Sequence, residues 1–257
     1  MASSATDSQG KDKEIREQLV KTGHVDVMVS VGNNFFYTKS LPCSLWFFDK
    51  GKPEALRDKV LFIDARNYYT VVDRTLNEWS DWQLRNLNAI VWLYRGETDQ
   101  YRALVDEYAE TLGDRDFAAV LETLEGQKAR LTAEGKQAAA AAPRKEKKAV
   151  EADYAGKVAA VEESIVVAKE ALWLTEKFGE GEYHDIPGLC KVAALEEIEG
   201  KGYSLTPGAY VGVAPTEDDG VDFHQRMTEI HKELLSLQAE SNRLMETISK
   251  NWEEMGL

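Results

Sequence analysis

The residues in this chain best suited to chemistry are aromatic rather than nucleophilic or metal-ligating. Phe35, Phe36 and Tyr37 stand side by side in the segment Gly32-Asn-Asn-Phe-Phe-Tyr-Thr-Lys-Ser-Leu-Pro-Cys-Ser-Leu-Trp-Phe-Phe48. Three adjacent rings on a loop between two apolar runs have two uses. They plug the edge of a sheet, the use that spacing alone favours, or they form a platform on which a nucleobase stacks, since an aromatic face accepts any base. Other reactive types are scattered. His24, His184, His224 and His231 have no spacing that suits a shared metal, and the pair His224 and His231, seven apart, reads as exposed helix surface. Cys43 and Cys190 lie far apart in apolar company with no Cys-x-x-Cys spacing, so they read as buried free thiols. Gly-x-Gly-x-x-Gly, Gly-x-x-x-x-Gly-Lys-Ser/Thr and Gly-x-Ser-x-Gly are all absent from the sequence. No catalytic, cofactor-binding or metal-binding residue is assigned, and a freestanding enzyme is not expected.

Charge narrows the partners. The formal net charge is -14, from 45 acids against 31 bases. A phosphate backbone repels such a chain unless its bases are strongly segregated. The dense basic run, Arg144-Lys-Glu-Lys-Lys148, carries an acid and adjoins an alanine tract, so it reads as a solvated helix face or hinge. DNA is therefore not expected as a direct, autonomous partner. No apolar run reaches the roughly 18 residues of a membrane span, and Met1 to Lys13 lacks the apolar core of a signal peptide. No membrane association is expected, and a cytoplasmic location is the default.

The elements that must position the aromatics come next. Residues 12–22 predict a short helix with Ile15 and Leu19 on its inner face and Gly23 as its stop. Three strands are predicted: the valine-rich His24–Val31, then Leu45–Phe48, then Val60–Asp64, with turns at Gly32-Asn-Asn34 and Asp49-Lys-Gly-Lys-Pro53. Such apolar runs suit strands covered on both faces. Three strands and one helix fall short of an open α/β sheet, which has five or six strands. Residues 1–74 are thus expected to be the edge of a larger sheet, with something before Met1 missing.

From Arg74 onward the pattern turns helical. Ser80-x-x-Gln83 is a capping box, followed by Leu84, Leu87 and Val91 on one face. Residues 75–178 are expected to be helical and to contain a long hairpin. Leu104, Tyr108, Leu112, Val120, Leu124 and Leu131 form the stripe before the turn at Ala138–Pro143. Tyr154, Val158, Val161, Ile165, Ala168 and Leu172 form a heptad stripe after it. Residues 179–220 read as a mixed Gly/Pro-containing connecting segment. Residues 221–257 read as a terminal helix with Met227, Ile230, Leu234, Leu237, Leu244, Ile248 and Met255 at heptad positions and Ser241 in one expected apolar slot. That stripe either folds back on the hairpin or serves a partner.

Blocks of sequence in order along nearly the whole chain carry a family resemblance. They are Met1-Ala-Ser-Ser-Ala-Thr-Asp-Ser, Glu14-Ile-Arg-Glu-Gln-Leu, Val25-Asp-Val-Met-Val-Ser-Val, Asn34-Phe-Phe-Tyr-Thr, Leu41-Pro-Cys-Ser-Leu-Trp-Phe-Phe and Leu61-Phe-Ile-Asp-Ala-Arg66. Further blocks are Val72-Asp-Arg, Tyr94-Arg-Gly, Tyr183-His-Asp-Ile-Pro-Gly-Leu-Cys-Lys and Leu205-Thr-Pro-Gly-Ala-Tyr-Val-Gly, with the acidic loop before the last helix. The chain resembles the C-terminal portion of the modification subunit of type I restriction-modification systems, an adenine-specific DNA methyltransferase.

The resemblance implies a mixed α and β fold. The C-terminal edge of a Rossmann-like methyltransferase sheet would be followed by a long helical hairpin and a C-terminal coiled-coil helix. It implies S-adenosylmethionine as methyl donor in the intact enzyme, with none expected on this chain alone. The family's donor loop and Asn-Pro-Pro-Phe-type tetrapeptide lie upstream of the matched blocks, and the sequence holds no Pro-Pro pair. It implies that Phe36, with Phe35 and Tyr37 as near alternatives, stacks on an adenine flipped from the duplex. The implied partners are the DNA-specificity subunit, docked through the stripe from Met227 to Ile248, and the restriction subunit of the full complex, with DNA reached only through that complex. Two departures stand out: Ala209 occupies a position where the family commonly has Arg, and the hairpin replaces what is often a short link. A non-catalytic coiled-coil protein that binds the specificity subunit, and one half of a split enzyme, are the alternatives.

Overall fold

The computed structural model describes residues 1–36, 40–214 and 223–254. They fall into two units, 1–214 and 215–257. The first is built on a sheet of order β2-β1-β3-β6. Strand β1 (Val25–Val31) and strand β3 (Lys59–Ala65) run parallel, with Val27 opposite Leu61 and Val31 opposite Ala65. Strand β2 (Cys43–Phe48) flanks β1 antiparallel, and strand β6 (Cys190–Ala194) flanks β3 antiparallel.

Side chains alternate across a strand, so a run apolar at every position buries both faces. Val27, Val29, Leu61 and Ile63 point to one side. There they meet Leu87, Ile90 and Leu93 of helix α2 (Asp81–Arg95), Tyr101, Leu104 and Tyr108 of helix α3 (Thr98–Leu112), and Leu174 and Phe178 further on. Met28, Val60 and Phe62 point to the other. They meet Val20 of helix α1 (Lys11–Lys21), Ile198 of helix α6 (Leu195–Gly200) and Tyr210 of helix α7 (Gly208–Val211), whose ring stacks on Phe62 at 3.9 Å.

The three predicted strands are present. The fourth, β6, comes from the segment expected only to connect. Cys190-Lys-Val-Ala-Ala has weak strand character by itself, and it is drawn into the sheet by the open edge of β3, beginning where Asp64 N donates to Leu189 O at 2.7 Å. Helix α1 also differs from expectation. Arg16 and Val20 are its buried residues, while Ile15 is 54% exposed. The Arg16 guanidinium draws that face inward, donating to Tyr203 O at 3.1 Å, Ala5 O at 3.1 Å, Ser8 Oγ at 3.1 Å and Ser8 O at 2.5 Å.

The capping box of α2 forms in both directions: Gln83 N donates to Ser80 Oγ at 3.2 Å, and Ser80 N donates to Gln83 Oε1 at 3.1 Å. Before it, residues expected to begin the helical region instead form a small antiparallel ribbon of β4 (Thr70–Val71) and β5 (Asn77–Glu78). A boundary at residue 74 therefore falls inside this ribbon.

The hairpin consists of helix α4 (Phe117–Ala141) and helix α5 (Lys147–Phe178), with Pro143 in the turn. Their antiparallel register shows in Lys128–Glu162 at 2.8 Å and Lys169–Glu125 at 3.3 Å. At Gly135 an added Cβ would lie 2.9 Å from Tyr154 Cβ, so the glycine lets the helices approach. The stripe Val161, Ile165 and Ala168 is buried, as its spacing predicts.

Two polar knots lie within this unit. The buried Asp26 carboxylate is paired with Arg95 of α2 and sits 3.6 Å from the buried Lys52 ammonium. Lys52 also donates to Val25 O at 2.7 Å. The second ties the root of the hairpin: Glu170 accepts from Tyr68, and Asn86 Nδ2 reaches Glu170 O at 3.0 Å and Glu170 Oε2 at 3.2 Å. Burial raises the Glu170 pKa more than these hydrogen bonds lower it.

A carboxyl whose folded pKa is raised stabilises the fold most below its unfolded pKa, and that contribution fades as pH rises through the folded pKa. Glu170→Gln keeps an acceptor for Tyr68 and Asn86 without the charge. Urea unfolding should find this variant more stable than the parent by about 1 kcal/mol at pH 8, with the gap closing toward pH 4. By contrast, Asp26→Ala strands Lys52 in the interior and should cost about 3–5 kcal/mol, measured the same way.

Candidate functional site

Because β1 and β3 are parallel and adjacent, their C-terminal ends open on the same side of the sheet. That is where open α/β sheets bind ligands. Gly32 leaves β1 so close to the following segment of β3 that an added Cβ would sit 2.7 Å from Arg66 O. A side chain there would have to displace backbone. Asn34 then turns the chain at φ +63°, a left-handed geometry that Asn tolerates better than most residues.

The β4–β5 ribbon holds this loop from below. Asn77 N donates to Asn34 O at 2.7 Å, and Asn77 Nδ2 donates to Asn33 O at 2.9 Å. Phe35 enters an aromatic cage, edge-on to Tyr69 at 6.0 Å and tilted against Trp79 at 5.0 Å. Trp79 is itself fixed by its Nε1 donating to Tyr68 O at 2.6 Å. With Phe35 held inward, Phe36 is 50% exposed. The third candidate, Tyr37, lies outside the described residues. The two described candidates thus have different surroundings: Phe35 is a structural ring, and Phe36 is the one presented to solvent.

Beside the loop, Asp64 at the end of β3 is gripped by Arg66, with Nε to Oδ1 at 2.8 Å and Nη2 to Oδ2 at 2.6 Å. Gly208 packs on this pair, and an added Cβ there would be 3.0 Å from Arg66 Nη2. The Arg66 side chain is 53% exposed, yet Asp64 neutralises it, so it contributes little net field toward a phosphate. Ala209, the position expected to carry Arg, is exposed.

No group of three His, Cys, Asp or Glu side chains among the described residues could hold a metal ion. Burial pushes the Cys190 thiol up to about 11, far from a reactive thiolate. Cys43 is half-buried rather than buried, and desolvation raises its thiol as well.

Sequence reasoning singled out Phe36 but not the residues that hold its loop and its neighbour Phe35, namely Asn77, Tyr69 and Trp79. Asn67-Tyr-Tyr-Thr70 and Trp79 were visible as an aromatic cluster after β3, but nothing local revealed that they return to the Gly32–Phe36 loop.

The second unit contains helix α8 (Phe223–Glu254). Met227, Ile230, Leu234, Leu237, Leu244 and Ile248 are 46% to 62% exposed. Their spacing puts them on one side of the helix. Met255 lies outside the described residues.

Residues 1–125 match the family model described as N-6 DNA Methylase. The similarity extends well beyond that segment. The MjaIX type I restriction enzyme methylase subunit of Methanocaldococcus jannaschii is 27% identical over 256 residues, covering 100% of this chain and 31% of that protein. This chain is similar to the type I restriction-enzyme methylase subunits. The HindI type I restriction enzyme methylase subunit of Haemophilus influenzae is 25% identical over 254 residues, covering 99% of this chain and 38% of that protein. The chain thus spans about a third of the length of these curated relatives, 31% and 38%. A solved type I restriction-modification methyltransferase subunit from Streptococcus thermophilus is also similar. It has 14% identity and a TM-score of 0.39, covering 82% of this chain and 25% of that one.

The division of labour between the two rings is measurable. Phe35→Ala empties the cage and should lower folding stability by about 2–4 kcal/mol. Phe36→Ala should change it by no more than about 0.5 kcal/mol. Chemical denaturation of the two variants checks both figures, and equal losses would refute the assignment.

Proposed function

We propose that this chain is a portion of an adenine-specific DNA methyltransferase subunit of a type I restriction-modification system. In this reading it supplies the loop on which the target adenine stacks and the helix that docks the DNA-specificity subunit. The observation that carries the reading is Phe36, an exposed ring on a clamped loop at the C-terminal ends of β1 and β3, in a chain similar along its whole length to type I methylase subunits. The sheet is then the margin of a wider Rossmann-like methyltransferase sheet. The restriction subunit belongs to the full complex, and a cytoplasmic location goes with it. No described helix is long and apolar enough to cross a membrane.

The family's methyl donor, S-adenosylmethionine, supplies an activated methyl group to the adenine amine. The residues present do not suit it. The sequence has no Gly-rich strand-to-helix loop of a nucleotide-binding type, and the ends of β1 and β3 are occupied by the Phe35, Tyr69 and Trp79 cage. Donor binding and methyl transfer are therefore assigned to another portion of the enzyme, and the part played by these residues is to hold the base. Flipping a base costs a few kcal/mol in lost stacking and pairing. One aromatic stack recovers about 1–3 kcal/mol, a sizeable fraction of that cost but too little to drive flipping alone. Phe36 acts as the receiving surface, and Asn33 and Asn34, fixed by Asn77, hold the ring in place before the base arrives.

Docking follows from α8. A one-sided row of large apolar side chains in solvent marks an interaction surface, and its spacing suits a partner helix in a coiled coil. The net charge of -14 agrees with a chain that leaves DNA contact to its partner. The same helix supports a second reading, a non-catalytic protein that occupies the specificity subunit.

The purified chain alone should transfer no methyl group from tritiated S-adenosylmethionine to duplex DNA; measurable transfer would overturn the assignment of donor binding elsewhere. In the complex with the other subunits, duplex carrying 2-aminopurine at the target position should bind about 5- to 100-fold more weakly after Phe36→Ala. The fluorescence quenching of the stacked base should be lost with it. Unchanged quenching would remove Phe36 from the site. Leu234→Glu with Leu237→Glu should abolish co-purification with the specificity subunit and leave the folding of residues 1–214 intact. If co-purification depends on α8 while no 2-aminopurine signal ever appears, the second reading stands instead.

A further inference from the structure

The hairpin points out of the ligand end of the sheet. Helix α2 begins beside the segment that leaves β3, where Thr70 Oγ1 donates to Gln83 Oε1 at 3.1 Å and Asn86 Nδ2 donates to Tyr68 Oη at 2.9 Å. It finishes at the opposite end, where Arg95 pairs with Asp26 near the start of β1 and Tyr94 Oη donates to Lys59 O at 3.4 Å. Helix α3 returns, so Tyr108 Oη reaches Asn86 Oδ1 at 2.9 Å while Tyr101 lies toward that opposite end. Helix α5 follows the direction of α2. Its Glu170 is level with Asn86, and Gly179 O, just past its end, accepts from Tyr101 Oη at 2.8 Å. The part of α5 before Glu170 therefore extends beyond the C-terminal ends of β1 and β3, on the side where Phe36 is presented. From Glu170 back to Lys147 a helix rises about 35 Å, close to one turn of duplex DNA.

The tip of this arm is basic in an acidic chain. Residues 136–148 hold Lys136, Arg144, Lys145, Lys147 and Lys148 against Glu146, and all five bases are exposed. Lys136 and Lys147 line one hollow of about 390 Å³ between the two helices, so both sides of the turn contribute. Of the five, only Lys147 has an ion pair among the described residues, with Glu151 at 4.0 Å. Acids flanking the turn are engaged by neighbours, Glu134 with Arg130 at 3.7 Å and Asp153 with Lys157 at 2.6 Å. Exposed charges are screened over about 8 Å at physiological salt, so the acids around the sheet stand several screening lengths away. The tip thus has the segregated bases that the chain as a whole lacks. Residues 142–149 offer only Ala and Pro as apolar side chains, not the aromatic and large aliphatic anchors of a protein interface.

We propose that the hairpin is an arm whose basic tip grips backbone phosphates of duplex DNA, roughly one helical turn from the adenine held at Phe36. The proposal rests on the reading of Phe36 as the receiving surface, and it adds a second point of contact with the same duplex. Lys and Arg at the tip neutralise phosphates without reading sequence, so base reading stays with the partner subunit. Glu170, Tyr68 and Asn86 fix the root of the arm beside the loop. The arm is therefore a spacer that sets the distance between the stacked base and the gripped phosphates.

The test uses the complex with the other subunits and duplex DNA carrying 2-aminopurine at the target position. The combined variant Arg144→Gln, Lys145→Gln, Lys147→Gln and Lys148→Gln removes the charge and keeps good helix formers. Each phosphate contact contributes about 0.9 to the slope of log affinity against log salt. The variant should lower that slope by about 2–4 and weaken binding about tenfold or more at low salt, with 2-aminopurine quenching kept at saturation. Lys21→Gln with Arg57→Gln, at the opposite end of the sheet, should leave the slope unchanged. An unchanged slope in the tip variant would overturn the proposal, as would an equal fall per charge in the second variant. Loss of co-purification with the other subunits would overturn it too and give the tip to a protein partner. Failure of the adenine-stacking reading has a different signature: quenching absent in the parent complex, with the effect of the tip on the slope intact.

Discussion

The parallel pairing of β1 with β3 is the constraint on which the rest of residues 1–214 depends. A parallel pair has no solvent-facing side, so each strand must be apolar at successive positions and each face must be roofed. Leu61, Phe62 and Ile63 are consecutive and all buried. Each such side chain contributes about 1.5–3 kcal/mol when removed from water, which makes a one-residue slip in register costly in both directions. The same pairing sets two loops at one end of the sheet, Gly32–Phe36 after β1 and Arg66–Tyr69 after β3. The closeness of those loops requires a glycine at position 32 and creates the cage for Phe35.

Charges inside this frame are held by specific partners rather than excluded. Arg16 has no carboxylate in its hydrogen-bond set; three carbonyls and a hydroxyl take its donors, and together they join the N-terminal turn, α1 and the turn at Tyr203. Asp26 stands in a valine-rich strand and is answered by Lys52 and Arg95 from two other elements. Replacing such a pair with apolar residues can be neutral, whereas removing one partner is not. These groups therefore act mainly as specifiers of which elements meet.

The three adjacent aromatics show how a shared sequence signal divides in space. Phe35 and Phe36 have the same side chain and neighbouring positions, but the turn at Asn34 sends one into the Tyr69–Trp79 cage and leaves the other at the surface. Rigid support behind an exposed ring limits the entropy lost when a planar ligand stacks on it. In the proposed reading, the acidic balance of the chain, and the ion pair that occupies Arg66, leave attraction of the phosphate backbone to other surfaces.

The sequence by itself determined what short-range periodicity and backbone chemistry encode. Valine-rich β1 and the Val60–Asp64 run could be read as strands, Ser80 with Gln83 as a helix start, Pro143 as the turn of a hairpin, and Met227 through Ile248 as an apolar stripe. Each depends on residues within a few positions of one another. The tertiary structure alone decided β6, which is a strand because β3 had an open edge, and the β4–β5 ribbon, whose Asn77 serves a loop 44 residues away. It also decided that α1 turns Arg16 inward rather than Ile15, since carbonyls distant in sequence outcompete one aliphatic side chain. Periodicity reports that a face is buried; which distant partner buries it depends on pairing that local sequence does not record.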